Sequence, residues 1–204
     1  GVLTNNGDGT HSFAPNENFN GQVELSFGVN DGTQVTAANI GITVNEVNDA
    51  PVAGSTSYTV NEDGAITLSD AQLLANSSDV EGEVSIGNVA YAGDQGEFTV
   101  NGDGTYTFTP NENFNGQISL DVTVVDEEGA TAETTAGIDV IAVNDAPNAP
   151  TIELNGEEDQ VLVIDPAFIL SNASDLDGDT LTLESLEVRN PPNATLQPQA
   201  DGMY

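Results

Sequence analysis

The side chains able to do chemistry in this chain are almost all carboxylates, and they are spaced in a recurring way. Asp79-Val80-Glu81-Gly82 and Asp175-Leu176-Asp177-Gly178 each set two acids one residue apart ahead of a glycine. Two connectors, Glu46-Val47-Asn48-Asp49-Ala50-Pro51 and Ala142-Val143-Asn144-Asp145-Ala146-Pro147, add further hard oxygen donors. Carboxylates gathered at this density repel one another unless a cation sits among them. Calcium accepts about six to eight oxygen ligands at about 2.3–2.6 Å in flexible geometry, whereas magnesium demands tight octahedral geometry and keeps its water. The chemistry to expect is therefore coordination of Ca2+ by all-oxygen sets.

Catalysis has little to stand on. There is no cysteine, no lysine and one histidine, His11, which sits alone beside a turn. A Gly-x-Ser-x-Gly nucleophile elbow is also missing. Paired carboxylates can serve a glycosidase, but here the same acids recur along the chain, and a role repeated in every unit is structural. The protein is read as no enzyme.

Charge narrows the partners. Thirty-four acidic residues face one basic residue, Arg189, for a net charge of −33. Nucleic-acid backbones and anionic membrane surfaces would be repelled. No apolar run approaches the roughly twenty residues needed to span a bilayer, and Gly1 opens no signal-peptide pattern. The segment is expected to be soluble and internal to something longer. High acidity with few aromatics can signal disorder, but the apolar residues here are arranged in alternating strands.

The elements that position these acids repeat. Asn6-Gly7-Asp8-Gly9-Thr10 recurs as Asn101-Gly102-Asp103-Gly104-Thr105, and Asn16-Glu17-Asn18-Phe19-Asn20-Gly21-Gln22 as Asn111-Glu112-Asn113-Phe114-Asn115-Gly116-Gln117, both at an offset of 95 residues. The connectors, Glu62-Asp63 with Glu158-Asp159, and the paired-acid loops recur at 96. A period near 95 is long enough for an independent sandwich. The chain reads as half, whole, half: residues 1–49 end one unit, 50–145 form a complete one, and 146–204 open a third, with Asp201-Gly202-Met203-Tyr204 aligned on Asp103-Gly104-Thr105-Tyr106.

Within the whole unit, alternation predicts strands over Ser57–Val60, Val84–Tyr91, Glu97–Val100, Thr105–Phe108, Ile118–Val125 and Thr131–Val140, about seven strands at sandwich spacing. Asn101-Gly102-Asp103-Gly104 is hairpin chemistry, because Asn and Gly tolerate φ > 0. A helical turn is predicted over Asp70–Asn76 with Ser69 or Asp70 as N-cap. Its equivalent places Pro166 at the first helical position after Asp165. Phe114 is expected to plug the core, and each connector proline to stop the strand before it.

With these pieces in place, the unit resembles the bacterial cadherin-like repeats that run in tandem through giant RTX-type cell-surface adhesins. The carrying residues are Tyr58-Thr59-Val60-Asn61-Glu62-Asp63, Leu73 to Gly82, Asp103 to Gly116, and the Asn-Asp-Ala-Pro connectors. The resemblance implies an all-β fold of tandem Greek-key sandwiches, export, and calcium at the junctions. It also implies ligands. Glu17, Glu46, Asn48, Asp49, Asp79, Glu81 and Asp126 would gather at the first junction. Glu62, Glu112, Asn144, Asp145, Asp175 and Asp177 would gather at the second, with Asp179 in reserve. The second connector departs from the first in carrying Ala142 where Glu46 stands, and so has one carboxylate fewer.

The function expected is that of a calcium-rigidified extender in a secreted or cell-surface adhesin, with neighbouring repeats of the same chain as its contacts. A second reading is a filament in which the tail of one molecule completes the head of the next. A carbohydrate- or peptide-binding module is less favoured, because there is no tryptophan and most aromatics recur at paired positions, such as Phe13 with Phe108 and Phe19 with Phe114.

Overall fold

The computed structural model describes residues 1–188, 195–198 and 203; Arg189, Asp201, Gly202 and Tyr204 lie outside them. The central unit holds seven strands: β5 (Thr56–Asn61), β6 (Ile66–Ser69), β7 (Ser85–Ala90), β8 (Gly96–Val100), β9 (Thr105–Pro110), β10 (Gly116–Val125) and β11 (Thr131–Ile141). They form a four-stranded sheet, β5-β11-β10-β7, and a three-stranded sheet, β6-β9-β8. All neighbours are antiparallel except β5 and β11, which run parallel. β6 is absent from the alternation reading. It is only four residues long and runs straight into α1 (Asp70–Leu73), so its period never develops.

The alternation of β10 explains the sandwich. Ile118, Leu120, Val122 and Val124 point inward and are buried, while the residues between them face out. From β11 come Ala136, Ile138 and Val140, and from the facing sheet Leu68, Tyr106 and Phe108. Phe114 packs against this core at its edge, as its place in the Asn-Phe-Asn-Gly turn predicts. α1 closes one end with Leu73 buried, and Ser69 caps it in a capping box with Gln72. The β8–β9 turn takes its left-handed residues from Gly102 and Gly104, at φ +79° and +78°. Asp103 fixes that turn by accepting the N–H and hydroxyl of Thr105.

The flanking segments reuse the same pieces. The head contributes two hairpins, β1 (Val2–Asn5) with β2 (His11–Ala14), and β3 (Gly21–Asn30) with β4 (Val35–Val44), equivalent to β8–β9 and β10–β11. The tail contributes α2 (Pro166–Leu170), capped by the Asp165 carboxylate, which accepts the Ala167 N–H at 2.8 Å. A bridge of Asn148 with Ser174 mirrors that of Val52 with Ser78.

The connectors correct one expectation. β4 ends at Val44 and β11 at Ile141, several residues upstream of Pro51 and Pro147. The prolines therefore do not stop these strands. Each instead leads into a single bridging residue, Val52 or Asn148, at the start of the next unit. The connector itself is irregular chain that leaves its polar groups free to meet side chains.

Candidate metal centre

The second junction is built from three stretches of chain. Glu62 follows directly on β5, in the turn at its end, and is only 4% exposed. Both of its oxygens are held: Oε1 accepts the Val143 N–H at 2.6 Å and Oε2 accepts the Asn115 side-chain amide at 3.2 Å. The connector supplies Asp145, and the paired-acid loop of the next unit supplies Asp177, whose Oδ2 accepts the Asp145 N–H at 2.7 Å. One carboxylate oxygen from each of Glu62, Asp145 and Asp177 lies within 4.8 Å of the others.

The loop is pre-shaped for this. Asp175 Oδ1 accepts the N–H groups of Asp177 and Asp179, both at 3.1 Å, which curls the loop. The corresponding loop at the first junction is curled the same way by Asp79 Oδ1, which accepts the N–H groups of Glu81 and Gly82. Asp79 Oδ2 is buried and has no hydrogen-bond partner among the described residues. A buried, unpartnered carboxylate oxygen is costly to desolvate, and a cation is the partner its charge calls for.

The first junction gathers its residues more loosely. Asn48 donates its side-chain amide to Asp126 Oδ2 at 2.8 Å, and Asp126 is 6% exposed. The Asp49 N–H reaches Glu81 Oε2 at 3.4 Å, and the Asn20 amide reaches Glu46 Oε1 at 3.5 Å. Asn18, Asn20, Glu46, Asp49 and Glu81 help line a cleft of about 300 Å³. Glu17 and Glu112 are exposed, and among the described residues neither hydrogen-bonds to these acids or joins the three-carboxylate cluster. Asn144 turns its amide onto the Asp145 carbonyl at 2.7 Å, and Asp179 contributes its backbone N–H to the loop.

The electrostatics mark both places. Partial burial pushes the Asp145 carboxyl above its ordinary value, helped by the charges of Asp177, Asp63, Glu62 and Asp175. Glu81 is raised by burial, then by the charges of Asp49 and Asp79, against the lowering effect of the Asp49 N–H. Asp126 is lowered, first by the Asn48 amide and then by the backbone N–H of Ala130 and its neighbours. Asp145 and Glu81 are thus raised in part by neighbouring carboxylates, with no basic side chain among the described residues beside them, and a bound divalent cation would relieve that. The donor set, all carboxylate, amide and carbonyl oxygen, fits calcium and offers no soft ligand.

Three participants escaped the sequence reading. Asp63 acts on Asp145 from the turn after β5, at φ 60°; its signal was the repeated Glu-Asp doublet. Asn20 and Asn115 sit at equivalent places before β3 and β10, each with its amide on a glutamate. Their repetition was visible, but nothing in the sequence tied them to those glutamates.

Among solved structures, the chain is 20% identical to protocadherin gamma B2 extracellular cadherin domains 1–5, with a TM-score of 0.47, covering 86% of this chain and 37% of that one. It is 24% identical to an endo-fucoidan hydrolase of glycoside hydrolase family 107, with a TM-score of 0.33, covering 70% of this chain and 22% of that one. The chain thus spans well under half of each structure, and likenesses this low carry no functional argument. No curated protein matches it. The cadherin-like domain model matches three successive segments, residues 1–45, 47–141 and 143–204, nearly the whole sequence. The protein belongs to the cadherin-like domain family.

Proposed function

We propose that this chain is an extender segment of a secreted or cell-surface bacterial adhesin of the RTX type, in which calcium locks successive sandwiches end to end and so projects a distal adhesive domain. The observation that carries this is the junction of Glu62, Asp145 and Asp177: one acid from the base of a unit, one from the connector and one from the top of the next, with oxygens within 4.8 Å. A cation held there ties three segments that otherwise repel. Glu62, Asp145, Asp175 and Asp177 would hold it at the second junction, and Glu46, Asn48, Asp49, Asp79, Glu81 and Asp126 at the first. The two sets share three repeat positions 96 residues apart: Asp49 with Asp145, Asp79 with Asp175, and Glu81 with Asp177. Affinities of about 10⁻⁴–10⁻³ M, the range of extracellular modules, would suffice in calcium-rich surroundings. The test is small-angle scattering in calcium and then in chelator. A rod that softens in chelator at constant mass supports the extender, and a particle blind to calcium removes it.

A second reading, a head-to-tail filament, has its own observation. Phe27 on β3 is 43% exposed, while its register equivalent Val122 on β10 is 1% exposed. In sequence the tail repeats the Glu-Asp doublet, helical turn and paired-acid loop of the central unit, and among its described residues α2 is the one regular element. Particle mass that climbs with protein concentration in the same scattering series supports completion of one molecule's head by another's tail, and constant mass removes it.

A further inference from the structure

Asn115 and Gly116 form a dipeptide with chemistry of its own. The side-chain amide of an asparagine followed by glycine is open to attack by the next backbone nitrogen, because glycine puts no side chain in the way. Asn115 is exposed to water, and Gly116 is the first residue of β10, at the end of the ladder opposite Val140. The Asn115 amide donates to Oε2 of the nearly buried Glu62, a member of the three-carboxylate cluster. Asn20-Gly21 is the equivalent dipeptide at the first junction, but its amide lies 3.5 Å from the exposed connector residue Glu46, whose own counterpart is Ala142.

We propose that Asn115-Gly116 is a self-deamidation site that converts a hydrogen-bond donor on Glu62 into a further carboxylate of the second junction. The deamidation stands by itself, while its effect on calcium rests on the metal reading above. The Gly116 nitrogen gives up its proton to solvent base and bonds to Asn115 Cγ. The Cγ–Nδ2 bond breaks, and ammonia leaves with a solvent proton. Water then adds to one of the two imide carbonyls and reopens the ring to aspartate or isoaspartate. Nothing is oxidised or reduced, and water is the sole co-reactant.

The product changes the sign of the contact. Before conversion the amide supports Glu62 by a charge-assisted hydrogen bond. Afterwards two carboxylates face each other, which loosens the junction without a cation and strengthens it with one, since affinity in such sites is tuned by ligand charge. The second junction would thereby become more calcium-dependent as the molecule ages.

The test ages the full chain in warm, mildly alkaline buffer and maps each Asn-Gly pair by peptide mass spectrometry. In parallel, Asn115→Asp, Asn115→Gln and Asn101→Asp are titrated with calcium by calorimetry and melted in chelator. Asn101-Gly102 serves as the control dipeptide, since its amide faces Thr105 and Thr107 rather than an acid. The expected results are acid accumulating at position 115 and none there in Asn115→Gln. Asn115→Asp should bind calcium about tenfold more tightly and melt lower in chelator, and Asn101→Asp should do neither. Position 115 remaining amide after ageing that converts an unfolded control overturns the site. Unchanged calcium affinity in Asn115→Asp, with wild type still binding, overturns the effect on the junction alone. Wild type blind to calcium overturns the metal reading and the tightening with it, while the mass map still decides the deamidation.

Discussion

Asp177 Oδ2 accepts the backbone N–H of Asp145 at 2.7 Å, so the paired-acid loop of one unit grips the connector that leads into it. The contact is between two acids, and only a backbone N–H lets them approach. Their side chains converge with that of Glu62 at a distance where charges are costly. The same relation recurs more loosely between Glu81 and Asp49 at the first junction. The chain therefore spends hydrogen bonds to hold carboxylates together rather than apart.

Replacing Asp177 by asparagine separates those roles. The amide oxygen can still accept the Asp145 N–H, so shape is kept, but one negative charge is lost. In chelator the stability should change by less than about 1 kcal/mol, because the residue is exposed. Calcium affinity at that junction should fall roughly tenfold or more. Calorimetric titration checks it, and equal affinity for both proteins would remove Asp177 from the ligand set.

Strand alternation made six of the seven central strands legible, and repeated motifs made the junction acids legible as a group. Glu62, Asp145 and Asp177 are far apart in the chain, and only the likeness of their motifs to a known family put them at one junction. Local arguments failed where the third dimension decides. β6 is too short for its period to show. Asp63 follows Glu62 directly, yet a left-handed turn brings its charge to bear on Asp145. The connector prolines looked like strand stops, but β4 and β11 end earlier, at Val44 and Ile141.

Tyr106 and Asp70 tie the β8–β9 hairpin to α1 through a hydroxyl–carboxylate bond of 2.8 Å. Burial, then the Asp70 hydrogen bond and charge, push the tyrosine hydroxyl up to about 12. The folded value lies above the unfolded one, so this contribution is whole below about pH 10, the unfolded value, and is lost as pH rises toward 12. Tyr106→Phe should destabilise the central unit by about 1–2 kcal/mol at neutral pH. It should also flatten the alkaline limb of a urea-midpoint profile. A variant with the wild-type midpoint and the same alkaline limb would show the bond to be idle.

Val122 and Phe27 test what covers the head. Val122→Ala opens a cavity in the packed sandwich and should cost about 2–3 kcal/mol. Phe27→Ala, at the equivalent register, should cost less than about 1 kcal/mol in dilute protein, because the ring is already partly in water. If molecules complete one another, the Phe27→Ala penalty should grow with concentration. Urea melts at several concentrations separate the cases, and a large, concentration-independent penalty would mean that the head buries Phe27 within its own molecule.

Acid should act on the junction carboxyls in opposite directions. The Asp145 carboxyl is raised, so without cation its ionisation works against the folded junction, and the strain is relieved as pH falls through the region just above the ordinary carboxylate value. Asp126 is lowered, so its contribution is present above that value and is lost on further acidification. In chelator, NMR titration of the carboxyl carbons should find Asp145 protonating before Asp126 as pH falls. Bound calcium should pull Asp145 down sharply, because protons and cation compete for the same oxygens. Calcium affinity must then weaken as pH approaches the chelator-state titration of Asp145. An Asp145 curve that calcium leaves in place would take that residue out of the coordination sphere, even if the chain still binds the ion elsewhere.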